Sequence, residues 1–90
     1  MSRQRSFDVI AQSEYVTIGE LVRLTEVRYS TLKYYTEEGL IPFEQEEEKL
    51  TRRYKRVLAI HIINEIINLR ETGLTIEEIK YKLLDSTSKK

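Results

Sequence analysis

Cysteine and tryptophan are absent from the 90 residues, and histidine occurs once, at His61. Without cysteine there is no disulfide framework and no thiol chemistry, and a lone histidine leaves no metal site built from the usual nitrogen and sulfur ligands. No apolar run approaches the ~18 residues that cross a bilayer, and Met1 to Gln12 lack the apolar stretch and small-residue cleavage site of a secretory leader. The expectation is a cytoplasmic chain with no membrane association, no metal and no cofactor. Charge of one sign is lacking too: 15 Lys+Arg stand against 15 Asp+Glu, which on its own argues neither for nucleic acid nor for a basic substrate. With 40% hydrophobic and 33% charged side chains and a mean hydropathy of -0.47, this is the composition of one small soluble domain, too short for a second. The catalytic inventory is equally thin. There is no Gly-rich phosphate loop and no nucleophile motif, and the Glu44 to Glu48 cluster lacks the glycine that a calcium loop turns on. The sequence therefore reads as a binding protein and not an enzyme.

What is present is punctuation. Residues 1–14 show no sustained period and no cap, and predict a flexible N-terminal arm with a short apolar patch at Phe7, Val9 and Ile10. Order is expected from residue 15 to residue 84, followed by a polar tail over 85–90. Thr17 with Glu20 three residues on forms a capping box, after which Ile18, Leu21 and Val22 share a face. Thr25-Glu26-Val27 leaves room only for a tight turn before a second periodic segment from about Arg28 to Glu38. Two short helices about so tight a turn form the helix-turn-helix pattern. Gly39 and Pro42 close the second helix.

Leu40 to Tyr54 runs from an apolar start through a charged middle to a basic return, and predicts a small two-stranded wing with an acidic tip. A third helix, Lys55 to Thr72, carries apolar residues over an arc of about 200°, roughly twice what a surface helix requires. That width predicts either a helix wedged among the others or one that meets a second chain. Gly73 ends it. Thr75 and Glu78 form a second capping box for a fourth helix ending near Leu84.

The exposed arc of the second helix carries Tyr29, Ser30, Lys33, Tyr34 and Glu37, with Arg28 at its start, where recognition helices meet bases and phosphates. Arg52, Arg53, Lys55 and Arg56 then surround Tyr54. Long cationic side chains pair with phosphates while tyrosine hydroxyls donate to the same oxygens, so both clusters are candidate contacts to a DNA backbone.

In order along the chain, Thr17-Ile18-Gly19-Glu20-Leu21, then Thr31-Leu32-Lys33-Tyr34-Tyr35-Thr36-Glu37-Glu38-Gly39-Leu40-Ile41-Pro42, then Arg52-Arg53-Tyr54, then Glu71 to Ile79 through Gly73, strongly resemble the winged-helix DNA-binding domain of the MerR family of bacterial transcription regulators. The likeness covers Tyr15 to Leu84. It implies a mainly α, four-helix winged helix-turn-helix domain that binds double-stranded promoter or operator DNA as a homodimer or cooperative assembly, in the bacterial cytoplasm at the nucleoid. By position, Lys33, Tyr34, Arg52, Arg53 and Tyr54 would grip the backbone, Tyr35 would pack inward, and Arg28, Tyr29 and Ser30 would read bases.

Four departures qualify the likeness. Lys55 follows the wing tyrosine where members commonly place a capping Ser or Asp, and Arg28 replaces a cap worth ~1 kcal/mol with a cation. The wing tip is acidic, which implies that it points away from DNA or meets a protein such as RNA polymerase. The 90 residues also hold neither the long pairing helix nor an effector domain. They read as a DNA-reading domain with sensing and dimerisation parts missing or improvised, or as the N-terminal part of a longer protein. Phe7, Val9, Ile10, Ile60, Ile63 and Ile67 are then the expected dimer contacts. An excisionase-like or architectural DNA-bending protein, and a protein-interaction module using the acidic wing and third helix, are the alternative readings.

Overall fold

The computed structural model describes residues 5–48 and 50–88, with residues 84–88 described by their backbone alone. Its elements are α1 (Phe7–Gln12), β1 (Tyr15–Val16), α2 (Ile18–Thr25), α3 (Tyr29–Glu37), β2 (Tyr54–Lys55), α4 (Arg56–Glu71) and α5 (Ile76–Ser88). The four expected helices are α2 to α5, and the fold is mainly α with one small antiparallel sheet.

Both capping boxes form. Thr17 Oγ1 accepts from the Glu20 amide at 3.2 Å while the Glu20 carboxylate accepts from the Thr17 amide at 2.9 Å. Thr75 and Glu78 repeat the exchange at 3.1 and 2.9 Å. Helices α3 and α4 stop alike. Gly39 and Gly73 take φ of 81° and 100°, and the following leucine amides return to the carbonyls of Tyr35 and Leu69 at 3.0 and 3.2 Å, the doubly bonded ending that favours glycine. Helix α2 ends instead on Glu26 at φ 62°, its amide bonded to the Val22 carbonyl at 2.8 Å. This left-handed residue turns the chain within three residues onto α3.

Helix α4 is the central element, packed against α2, α5 and β2. Its Ala59, Ile63 and Ile66 are buried, and Ile60, Ile62, Ile67 and Leu69 pack partly buried around them. Most of the wide apolar stripe is thereby used within one chain, while Leu58 stays 43% exposed. Ile63 is core and not a dimer contact, and Ile60 and Ile67 belong to the same packing.

The arm requires correction. From residue 5 onward it is built into the domain: Ser6 caps α1 by accepting from the Val9 amide at 3.3 Å, Asp8 sits in the first turn, and Ile10 is fully buried. Six residues are too few to show a period, so the helix depends on tertiary contacts. Arg5 supplies one of them. Its guanidinium meets the Glu20 carboxylate through two bonds of 2.9 and 2.8 Å and reaches the Tyr15 carbonyl at 3.1 Å, while Arg23 donates to the Arg5 carbonyl at 2.6 Å. Residues 1–4 of the arm, and residues 89 and 90 of the expected tail, lie outside the described residues. Residues 85–88 continue α5.

The small two-stranded sheet of the expected winged fold is present, with a different pairing. Among the described residues the expected hairpin is closed by a single bridge between Glu44 and Arg53, with amide-to-carbonyl distances of 2.7 and 2.9 Å. The two-stranded sheet lies beside it: β2 pairs with β1, Tyr15 against Lys55 and Val16 against Tyr54. A two-residue strand has no readable alternation, and its partner lies about forty residues away in sequence.

Two outcomes follow. Ile10→Ala should lower the unfolding free energy by about 2–4 kcal/mol, the cost of emptying a closed core site, as read by urea denaturation; a loss under 0.5 kcal/mol would return α1 to the status of an arm. Arg5 holds the Glu20 carboxyl below the usual carboxylate range. Its contribution is therefore complete above the unfolded-state value near pH 4.5 and is lost as pH falls through the folded-state value. Glu20→Gln keeps the cap and removes the ion pair, so unfolding free energy measured from pH 6 downward should fall less steeply with acid than in the parent.

Candidate nucleic-acid interface

Helix α3 divides into two faces. Leu32, Tyr35 and Thr36 are buried, whereas Tyr29 and Tyr34 stand about half exposed beside exposed Lys33 and Ser30. Tyr34 and Tyr35, adjacent in sequence with ring centroids 6.1 Å apart, therefore part company: one faces out and the other completes the core. At the start of α3, Arg28 occupies the cap position in extended conformation with no side-chain cap, and no acidic residue sits in the first turn. The leading amides of α3 and their positive partial charge are thus left without an internal anion.

The wing base stands next to this face. A groove of about 280 Å³ there is lined by Tyr29 and Lys33 of α3 together with Leu50, Thr51, Arg52 and Tyr54. Arg52 lies over the Phe43 ring, its guanidinium carbon 4.5 Å from the centroid, and Arg53 lies over the Tyr15 ring at 5.6 Å. Stacking on an aromatic face holds a guanidinium in one plane while leaving its N–H edges available. Arg53 is exposed. Tyr15 in turn donates to Glu44 at 3.1 Å, which raises the phenol above its ordinary titration range and keeps it a neutral donor. The acidic base of the wing is occupied there, and the Gln45 amide closes the tip by donating to the carbonyls of Glu48 and Leu50.

Not every candidate cation is available. Arg56 is a structural residue: its amide donates to the Glu14 carbonyl and its Nε to the Ser13 carbonyl at 2.7 Å, tying α4 to the end of α1. Lys49 lies outside the described residues. Arg52 is shared with Glu37, Nη1 to Oε2 at 3.1 Å, and Lys33 approaches the same oxygen at 3.6 Å. The two cations hold the Glu37 carboxyl below the usual range, Arg52 foremost.

Tyr54 is the clearest correction. It is 1% exposed. Its hydroxyl lies 3.0 Å from Thr36 Oγ1, which spends its single proton on the Leu32 carbonyl at 2.9 Å, so Tyr54 is the donor. Its ring tilts against Phe43 at 6.1 Å. The residue expected to grip DNA instead joins the wing to α3.

Sequence reasoning missed three participants: Phe43 and Tyr15, which carry the arginines, and Glu37, which neutralises part of the face. Glu37 alone left a signal, four residues beyond Lys33 on the exposed arc. Of the remaining expected dimer contacts, Phe7 and Val9 are half exposed, while Ile10 is core. No helix among the described residues is long and apolar enough to cross a membrane.

A short helix, a three-residue turn, a second helix with one polar and aromatic face, and a basic wing base beside it define a winged helix-turn-helix protein of the DNA-binding class. Within that class the chain matches the MerR HTH family of regulatory proteins over residues 16–86, and it belongs to that family. It is accordingly a DNA-binding transcription regulator of the helix-turn-helix type. No curated protein and no solved structure matches the chain.

Proposed function

We propose that the chain binds double-stranded operator or promoter DNA sequence-specifically, with α3 in the major groove and the wing base against the adjacent backbone. The observation that carries this reading is the juxtaposition of the exposed Tyr29, Lys33 and Tyr34 face of α3 with stacked Arg52 and Arg53 across one shallow groove. Arg28, Tyr29 and Ser30, on the uncapped first turn, are the residues for base readout. Lys33, Tyr34, Arg52 and Arg53 hold phosphates, and Tyr54 acts only through the wing it anchors.

The binding unit is a homodimer or a cooperative assembly on DNA, in a bacterial cytoplasm, with half-exposed Phe7 and Val9 as the surface nearest to the expected contacts. The acidic tip, Glu46 to Glu48, serves a protein partner such as RNA polymerase better than it serves phosphate.

The two groups of residues separate experimentally. Lys33→Ala and Arg53→Ala should each weaken binding to selected and random duplexes alike and reduce the slope of log K against log salt by about 0.9. Arg28→Ala should cost about 1–3 kcal/mol on a selected site and relax preference at one position, with little change on random DNA. Fluorescence anisotropy titrations read both. No duplex binding at micromolar protein in low salt, or silence of both kinds of substitution, would show that α3 and the wing base are not the DNA surface.

A further inference from the structure

We infer that Glu37 is an internal competitor for the DNA backbone: its carboxylate occupies the two cations, Lys33 and Arg52, between which a phosphate would sit, and so caps the sequence-independent part of the affinity. The inference rests on the DNA-binding reading above. One oxygen of Glu37 takes both partners, Arg52 at 3.1 Å and Lys33 at 3.6 Å, drawn from α3 and from the wing. Those same cations both line the groove. The cluster of three presents a net charge of one where two would otherwise face the backbone.

Glu37 cannot leave. It sits in the last turn of α3 between buried Tyr35 and Thr36 and buried Leu40, with Gly39 fixing the chain reversal. Only its side chain can rotate, so a phosphate that takes Lys33 and Arg52 keeps a carboxylate within a few ångströms. The adjacent carboxylate does not share this role: Glu38 points the other way and pairs with Lys80 of α5 at 3.1 Å. The effect is thus a property of one position and not of the acidic composition of the turn.

The expected magnitude is modest. All three side chains are substantially exposed, and releasing two exposed ion pairs corresponds to roughly a two- to fivefold change in affinity. Glu37→Gln should therefore tighten binding to a random duplex roughly two- to fivefold at low salt. Because one more unit of positive charge then faces the phosphates, the slope of log K against log salt should steepen by about one. The gain should vanish in the Arg52→Ala, Lys33→Ala background, as a double-mutant cycle requires for a shared network.

Glu71→Gln, at the end of α4, changes the net charge equally and is the control. Anisotropy titrations over a salt series, with circular dichroism to establish equal helix content, read all variants. An unchanged or weaker Glu37→Gln protein overturns the inference, the weaker result meaning that the carboxylate aligns the cations instead of competing with phosphate. An equal gain from Glu71→Gln also overturns it, leaving only a net-charge effect. If Lys33→Ala and Arg52→Ala are silent as well, the DNA-binding surface itself is misassigned; if they weaken binding and Glu37→Gln does nothing, only the competitor role fails.

Discussion

The side chain of Tyr54, buried in the closed interior with its hydroxyl donated to Thr36, is the joint on which the arrangement of the DNA face depends. Thr36 belongs to α3, Tyr54 begins β2, and Phe43 of the wing packs on the Tyr54 ring. One side chain thus joins the helix proposed to enter the groove, the strand that pairs with β1, and the wing. Burying a phenol without a partner is costly, and the Thr36 oxygen supplies that partner where the packed ring brings the hydroxyl into the core. The Thr36 proton is already committed to Leu32, which leaves Tyr54 as the donor in their shared hydrogen bond.

From that joint the surface chemistry follows. With β2 held, Arg52 and Arg53, which lead into it, lie one over Phe43 and the other over Tyr15. The side-chain partners of the two arginines, Glu37, Phe43 and Tyr15, lie outside the Glu46 to Glu48 tip. The net charge of zero is therefore a sum of separate patches: a basic wing base, an acidic tip beyond it, and a carboxylate at Glu37 set within the basic surface. Such an arrangement limits long-range attraction to polyanions while leaving short-range contacts intact.

The legible parts of this fold were those encoded by neighbours in sequence. Thr17 with Glu20 and Thr75 with Glu78 are three residues apart, and both boxes form as written. Gly39 and Gly73 announce the ends of α3 and α4 because only their backbone accepts a left-handed stop without strain. The inward Tyr35 and outward Tyr34 followed from helical geometry. The illegible parts join distant residues. Nothing near Arg5 points to Glu20, and Tyr15 and Val16 are too few to read as a strand. Tyr54 misled for a different reason. A tyrosine flanked by arginines has a basic local context, but β2 places alternate side chains on opposite faces, so the arginine before it faces outward while the tyrosine turns into the core. The wide stripe of α4 was legible as a surplus, and the full burial of Ile63 and the partial burial of Ile60 and Ile67 show that much of it serves the packing around a central helix.

The most direct measurement is a paired reading on Tyr54→Phe: unfolding free energy by denaturant, and random-duplex affinity of the folded protein. Loss of one buried hydrogen bond should lower stability by about 1 kcal/mol while affinity stays within about twofold, because the phenol touches Thr36 and not phosphate. Unchanged stability with an affinity loss as large as that of Lys33→Ala would contradict the account and return Tyr54 to the DNA surface.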